Sequence, residues 1–101
     1  MNISNNISSI QAHQSMLNNS AHNVANVNTD GFVPTNTRIS GGDNYVKAEN
    51  SKADNNGSKM SQTDLANEMT TQIIAVDATS VNVTALRTQD EMLGSLLEIK
   101  A

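Results

Sequence analysis

Apolar residues recur near the start of the chain at Ile3, Ile7, Ile10, Leu17, Ala21 and Val24, in spacings of four and three that are interrupted at Gln14. Positions three and four apart share one helical face, so this spacing predicts an amphipathic helix over about residues 3–27. Asn28-Thr29-Asp30-Gly31 stops that helix, with Gly31 free to take positive φ, and Pro34 blocks its continuation. The same rhythm returns over residues 63–99, where Leu65, Met69, Ile73, Val76, Val83, Leu86, Leu93 and Leu97 mark one apolar stripe. Ser61-Gln62-Thr63-Asp64 fits a capping box at its start, and Asp64 and Glu68 suit the positive end of a helix. Arg87 stands three and four residues before Asp90 and Glu91, a spacing that predicts a helical ion pair.

The middle of the chain carries no such rhythm. Thr37-Arg38-Ile39-Ser40 and Asn44-Tyr45-Val46-Lys47 flank Gly41-Gly42, a pattern compatible with a short hairpin, and residues 48–58 read as a flexible linker. The expected fold class is therefore all-α. Long N- and C-terminal helices pair as a coiled-coil-like hairpin, and the polar middle adds at most a small β-hairpin. Three segments follow: an N-terminal helix with its turn over residues 1–34, a polar linker or hairpin over 35–62, and a C-terminal helix over 63–101. At 1.5 Å per residue the second helix would extend roughly 55 Å, which makes a rod and not a ball.

Composition strengthens the expectation that the chain needs company. Only 37% of its residues are hydrophobic, with one Phe, one Tyr and no Trp, and much of that fraction is Ala and Val. So small a chain buries a modest share of its surface, and such side chains add little area each. The isolated chain is expected to be marginally stable and to be completed by partners. Fifteen residues are asparagine, and the first charged side chain is Asp30. A helix wetted by neutral amides and hydroxyls can pack beside copies of itself without like-charge repulsion.

Charge and chemistry exclude several function classes. The net charge is −4 and the cations are scattered, so no basic patch for nucleic acid exists. There is no cysteine, and no run approaches the roughly 20 apolar residues of a membrane span. The amino terminus does not read as a secretory signal peptide, since no cationic region precedes an apolar stretch. His13 and His22 lie nine residues apart, which puts them on opposite faces of one helix and prevents a shared metal ion. Asp90 and Glu91 are adjacent and diverge on a helix, and Gly41-Gly42 lacks the Lys and Ser/Thr of a phosphate loop. The sequence predicts no enzyme, no cofactor and no metal.

One stretch is too particular to be composition: Ala21-His22-Asn23-Val24-Ala25-Asn26-Val27-Asn28-Thr29-Asp30-Gly31-Phe32. Ala21 and Ala25 would let a neighbouring backbone approach, and Asn23, Asn26 and Asn28 could satisfy its polar groups. Thr29, Gly31 and Phe32 leave the helix in a Gly-aromatic turn. The stretch resembles the amino-terminal signature of flagellar basal-body rod, hook and hook-associated axial proteins, roughly A-x-N-(I/L/V)-A-N-x-N-T-x-G-(F/Y). The usual Pro before the Gly is Asp30 here. Toward the other end, Asp64-Leu65-Ala66-Asn67-Glu68-Met69, Ile73-Ile74-Ala75, Asn82 and Thr88-Gln89-Asp90-Glu91-Met92-Leu93-Gly94-Ser95-Leu96-Leu97 look like the family's carboxyl-terminal helix. The family's Arg-aromatic-Glu-Ala stretch before that Asn is replaced by Asp77-Ala78-Thr79-Ser80-Val81.

The resemblance implies a structural subunit of the bacterial flagellar basal body, in or near the rod, that transmits torque through its packed terminal helices. It implies as partners other rod or basal-body subunits, copies of the chain itself, and the flagellar export apparatus. It also implies uncleaved type III export to the periplasmic part of the basal body. The assembly interface would comprise Ala21, Asn23, Ala25, Asn26, Asn28, Thr29, Gly31 and Phe32 at one end. Leu65, Met69, Ile73, Val76, Asn82, Val83, Leu86, Leu93 and Leu97 would supply the other. The alternative is a rod-derived ring or scaffold component of the motor that lies outside the axis.

Overall fold

The computed structural model describes residues 3–100, with side chains through residue 98. Four elements follow in order: α1 (Ile3–Ala25), β1 (Thr35–Gly41), β2 (Val46–Lys52) and α2 (Leu65–Lys100). The fold is α+β, not all-α. The correction comes from the middle of the chain, where β1 and β2 form a two-stranded antiparallel sheet running from Thr35 opposite Lys52 to Gly41 opposite Val46. The linker expected over residues 48–58 is therefore strand as far as Lys52.

The hairpin forms because α1 gives it a surface to lie on. Thr35, Thr37 and Ile39 alternate toward α1 and are half-buried, while Asn36 and Arg38 face outward, the period of a one-sided strand. Asn19 Nδ2 donates to Thr37 Oγ1 at 2.8 Å and to Asn50 Oδ1 at 2.9 Å. At the far end the Val46 amide donates to Ser8 Oγ at 2.9 Å. The turn is closed by Gly42 N–H donating to the Tyr45 carbonyl at 2.9 Å. The Tyr45 ring folds over Gly42, where a Cβ would lie 2.5 Å from a ring carbon and would turn the exposed ring aside. Local β-propensity in this segment is weak, and tertiary contact decides its structure.

The start of α2 also differs from expectation. The helix is capped by Asp64 and not by Ser61: Asp64 Oδ1 accepts from the Asn67 amide at 3.3 Å, and its carbonyl accepts from Glu68 N–H at 2.9 Å. Ser61 Oγ accepts from the Thr63 amide at 3.3 Å and forms a small turn ahead of the helix. An aspartate three residues before a free amide matches the favoured N-cap geometry. The Arg87 pair with Asp90 or Glu91 does not form; among the described residues the sole ion pair is Lys47–Glu49 at 3.4 Å.

α1 and α2 run antiparallel, with Ser20 and Asn23 beside Glu68 at one end and Ser9 beside Asn82 at the other. By that register the first residue of α1 lies beside about residue 88, and every described side chain beyond Gln89 is exposed. The molecule measures 67 × 22 × 14 Å, with a radius of gyration of 18.0 Å, against about 13 Å for a compact chain of this length. Its accessible surface is 6905 Å², where a compact 10.8 kDa protein would present about 5,500 Å². No helix among the described residues is long and apolar enough to cross a membrane.

Removing the cap should cost about 1 kcal/mol. Asp64→Ala is expected to lower the thermal midpoint followed by circular dichroism. Ser61→Ala, which leaves the cap in place, should change it by less than half as much.

Candidate functional site

The polar stretch that ends α1 folds inward. Asn23 sits on the last turn of α1 with 1% of its surface exposed. Its Oδ1 accepts from the Thr35 amide at 3.0 Å, and its Nδ2 donates to the Thr35 carbonyl at 2.8 Å. Nδ2 also donates to Glu68 Oε1 at 2.9 Å, and the Asn23 carbonyl accepts from Thr63 Oγ1 at 3.0 Å. An amide alone offers a donor and an acceptor side by side, so it pairs with a strand edge as a second strand would. Ser20, fully buried, donates from Oγ to the Glu68 carbonyl at 3.1 Å. One residue thus joins the end of α1, the edge of β1 and the first turns of α2.

Asn26 serves the turn that follows. Its Nδ2 donates to the His22 carbonyl at 2.9 Å, and its Oδ1 accepts from Thr29 Oγ1 at 2.9 Å. Gly31 takes φ 73° while its amide donates to the Lys59 carbonyl at 2.8 Å. Phe32 lies edge-on to His22, ring centroids 5.6 Å apart, and Lys52 Nζ stands 5.6 Å from the Phe32 centroid. Ala21, Ala25, Asn28 and Thr29 are exposed. Of the three asparagines expected to bond a neighbouring chain, Asn23 and Asn26 are therefore engaged within their own chain, and Asn28 faces outward.

The two helices meet on a line that the apolar stripes do not mark. Ala12 and Ala75, 4% and 1% exposed, are the buried hydrophobic residues of this seam, and Glu68, Asn82 and Gln89 extend it. Asn82 Nδ2 donates to Ser9 Oγ at 2.9 Å and to the Ala78 carbonyl at 2.8 Å. Leu65, Met69, Ile73, Val76 and Val83, expected to form the seam with α1, are instead 43–61% exposed. Leu86 is half-buried, and Leu93 and Leu97 stand exposed. On α1, Ile3 and Ile7 are also outward. Ile10, Ala21 and Val24 on α1 and Met69, Val76 and Val83 on α2 each stand one residue, about 100°, from a seam residue, while Leu65, Leu86 and Leu93 stand three or four residues from Glu68, Asn82 and Gln89 and share the seam's side of α2.

The residues that hold the seam, Ser20, Glu68, Ala12 and Ala75, carry no signal in hydrophobic spacing, and neither does Thr35 of β1, which Asn23 binds. Their signal is a seven-residue repeat of small or polar positions, Glu68, Ala75, Asn82 and Gln89, which keeps one face in register as apolar heptads do. Small side chains let the backbones approach, and the polar ones bond across. His13 Nδ1 lies 2.8 Å from the Ser9 carbonyl within its own helix. Among the described residues no three His, Cys, Asp or Glu side chains gather as a metal site.

No family model matches the chain, and no curated protein matches it.

Asn23→Ala should strand the Thr35 amide and leave the Glu68 carboxylate without its donor, at about 2–4 kcal/mol. Asn28→Ala should fall within about 0.5 kcal/mol of the parent. For a chain of marginal stability, the concentration of a protective osmolyte needed for half-maximal helicity reads both. It should rise for Asn23→Ala and stay fixed for Asn28→Ala.

Proposed function

We propose that this chain is a structural subunit of the bacterial flagellar basal body, in or directly around the rod, assembling through its two helices to carry torque. The observation that supports assembly most is the outer surface of α2. Besides the stripe that runs from Leu65 to Leu97, the helix exposes Ile74 (53%), Val81 (68%) and Leu96 (57%) on another face. Large apolar side chains exposed on more than one face of a helix suit contact with further surfaces. Thr70, Thr79, Thr84 and Thr88 return their hydroxyls to carbonyls four residues back, at 2.8–3.1 Å. Their methyl groups then add to the apolar surface.

Charge supports side-by-side packing of copies. α1 carries no Asp, Glu, Lys or Arg, and from Leu65 to Leu86 the only charged residues of α2 are Glu68, which is buried, and Asp77. Neighbours in an array would meet there with little repulsion. The flagellar assignment itself rests on the resemblance of residues 21–32 and 64–97 to axial proteins. On that reading the partners are other rod or basal-body subunits, further copies and the export apparatus. The chain would work in the periplasmic part of the basal body. A second reading, a rod-derived ring or scaffold component outside the axis, draws on the departure at residues 77–81.

Basal bodies purified from the cells that make this chain should contain it, and averaged images of tagged particles should place it on or around the axis. Its absence from such preparations would sink both readings. Ile73→Asp and Leu93→Asp, at positions exposed in the single chain, should change its own stability by no more than about 0.5 kcal/mol. Both should nevertheless abolish incorporation and motility.

A further inference from the structure

Between the outer edge of β1 and the first turns of α2 lies a cavity of about 180 Å³ that the assembly surface of α2 does not use. α1 forms its floor at Met16 and Ser20, Thr37 and Thr71 stand on opposite walls, and Glu68 lines it. Glu68 is 4% exposed and receives one neutral donor, Asn23 Nδ2, on Oε1. No cation among the described residues pairs with it. A carboxylate withdrawn from water without a counter-charge is costly, so a ligand that brings a cation to its other oxygen gains strongly.

The wall beside it is an open strand edge. Ala53 N–H donates to the Pro34 carbonyl and Gly42 N–H to the Tyr45 carbonyl, both at 2.9 Å, which fixes the phase of the ladder. Thr35, Thr37 and Ile39 therefore turn their amides and carbonyls away from β2. Asn23 takes those of Thr35. Those of Thr37, which lines the cavity, and of Ile39 farther along the strand form the open edge.

We infer that this groove binds an extended segment of a partner protein, which adds as a third strand beside Thr37 and Ile39 and sends an arginine or lysine to Glu68. The strand edge supplies main-chain hydrogen bonds and the cavity supplies side-chain selection, the division of labour in β-strand addition. The neutral hydroxyls of Thr37 and Thr71, both half-buried, can accept further donors of a guanidinium, which fans five N–H groups in one plane. A free small cation would reach the carboxylate and leave the edge unpaired, so a peptide is the occupant the two features fit together. The inference does not depend on the flagellar reading.

The test titrates the full chain, in osmolyte sufficient to fold it, with a capped pentapeptide of threonines around a central arginine. The same peptide with citrulline and guanidinium chloride are run beside it, followed by amide NMR shifts. The arginine peptide should bind saturably and move the Thr37, Ile39 and Thr71 amides, and citrulline should weaken it about tenfold. Glu68→Gln keeps an acceptor for Asn23 and should bind the arginine and citrulline peptides alike. Equal binding of both peptides by the parent chain would overturn the proposal. So would guanidinium producing the same shifts at the same concentration as the peptide, or shifts confined to other residues.

Discussion

The fold turns on one buried amide. Asn23 bonds both polar groups of Thr35 and the carboxylate of Glu68, and three elements that share little apolar surface are held in one geometry by it. Removing any partner leaves a buried polar group unpaired, so the three bonds stand or fall together. The seam beyond it needs only small residues, because the register is already set at one end. Ala12 and Ala75 then allow close approach, and Asn82 repeats the polar contact farther along.

A seam of small and polar side chains has a consequence for the rest of the molecule. Most large apolar residues of α2 face outward, Ile10, Met16, Leu17 and Val24 of α1 are half-buried, and a 67 Å rod is left with a fully buried hydrophobic core of two alanines among the described residues. Hydrophobic burial is the main favourable term in folding, and this chain keeps most of its apolar area unspent. Specificity lies in the polar clasp within the chain, and on the proposed reading the exposed apolar surface would be covered by contacts between chains.

The sequence made part of this legible. Helical spacing located both helices to within a few residues, and Gly31 was readable as the positive-φ exit. The stripes misled on packing because a rhythm of four and three fits two lines on the same helix. Hydrophobicity picks the line with Ile73 and Val76, while close approach and hydrogen bonding pick the one with Glu68 and Ala75. The cap was misplaced by three residues because Ser61 and Asp64 are both capping residues, and only geometry shows which holds the Asn67 amide. The hairpin is faint in the sequence because its support comes from α1, through Ser8 and Asn19, and not from its own residues. Asn23 was marked as important, but its partners lie 12 and 45 residues away in sequence, a distance local patterns do not span.

The most direct measurement is the cross-hydrogen-bond scalar coupling from Asn23 Nδ2 in the isotopically labelled chain, folded by osmolyte at low temperature. A buried clasp should give resolved couplings to the Thr35 carbonyl carbon and the Glu68 carboxylate carbon, with side-chain amide protons that exchange slowly. Couplings absent from a helical, folded chain, with Asn23 amide protons exchanging at the solvent-exposed rate, would contradict it.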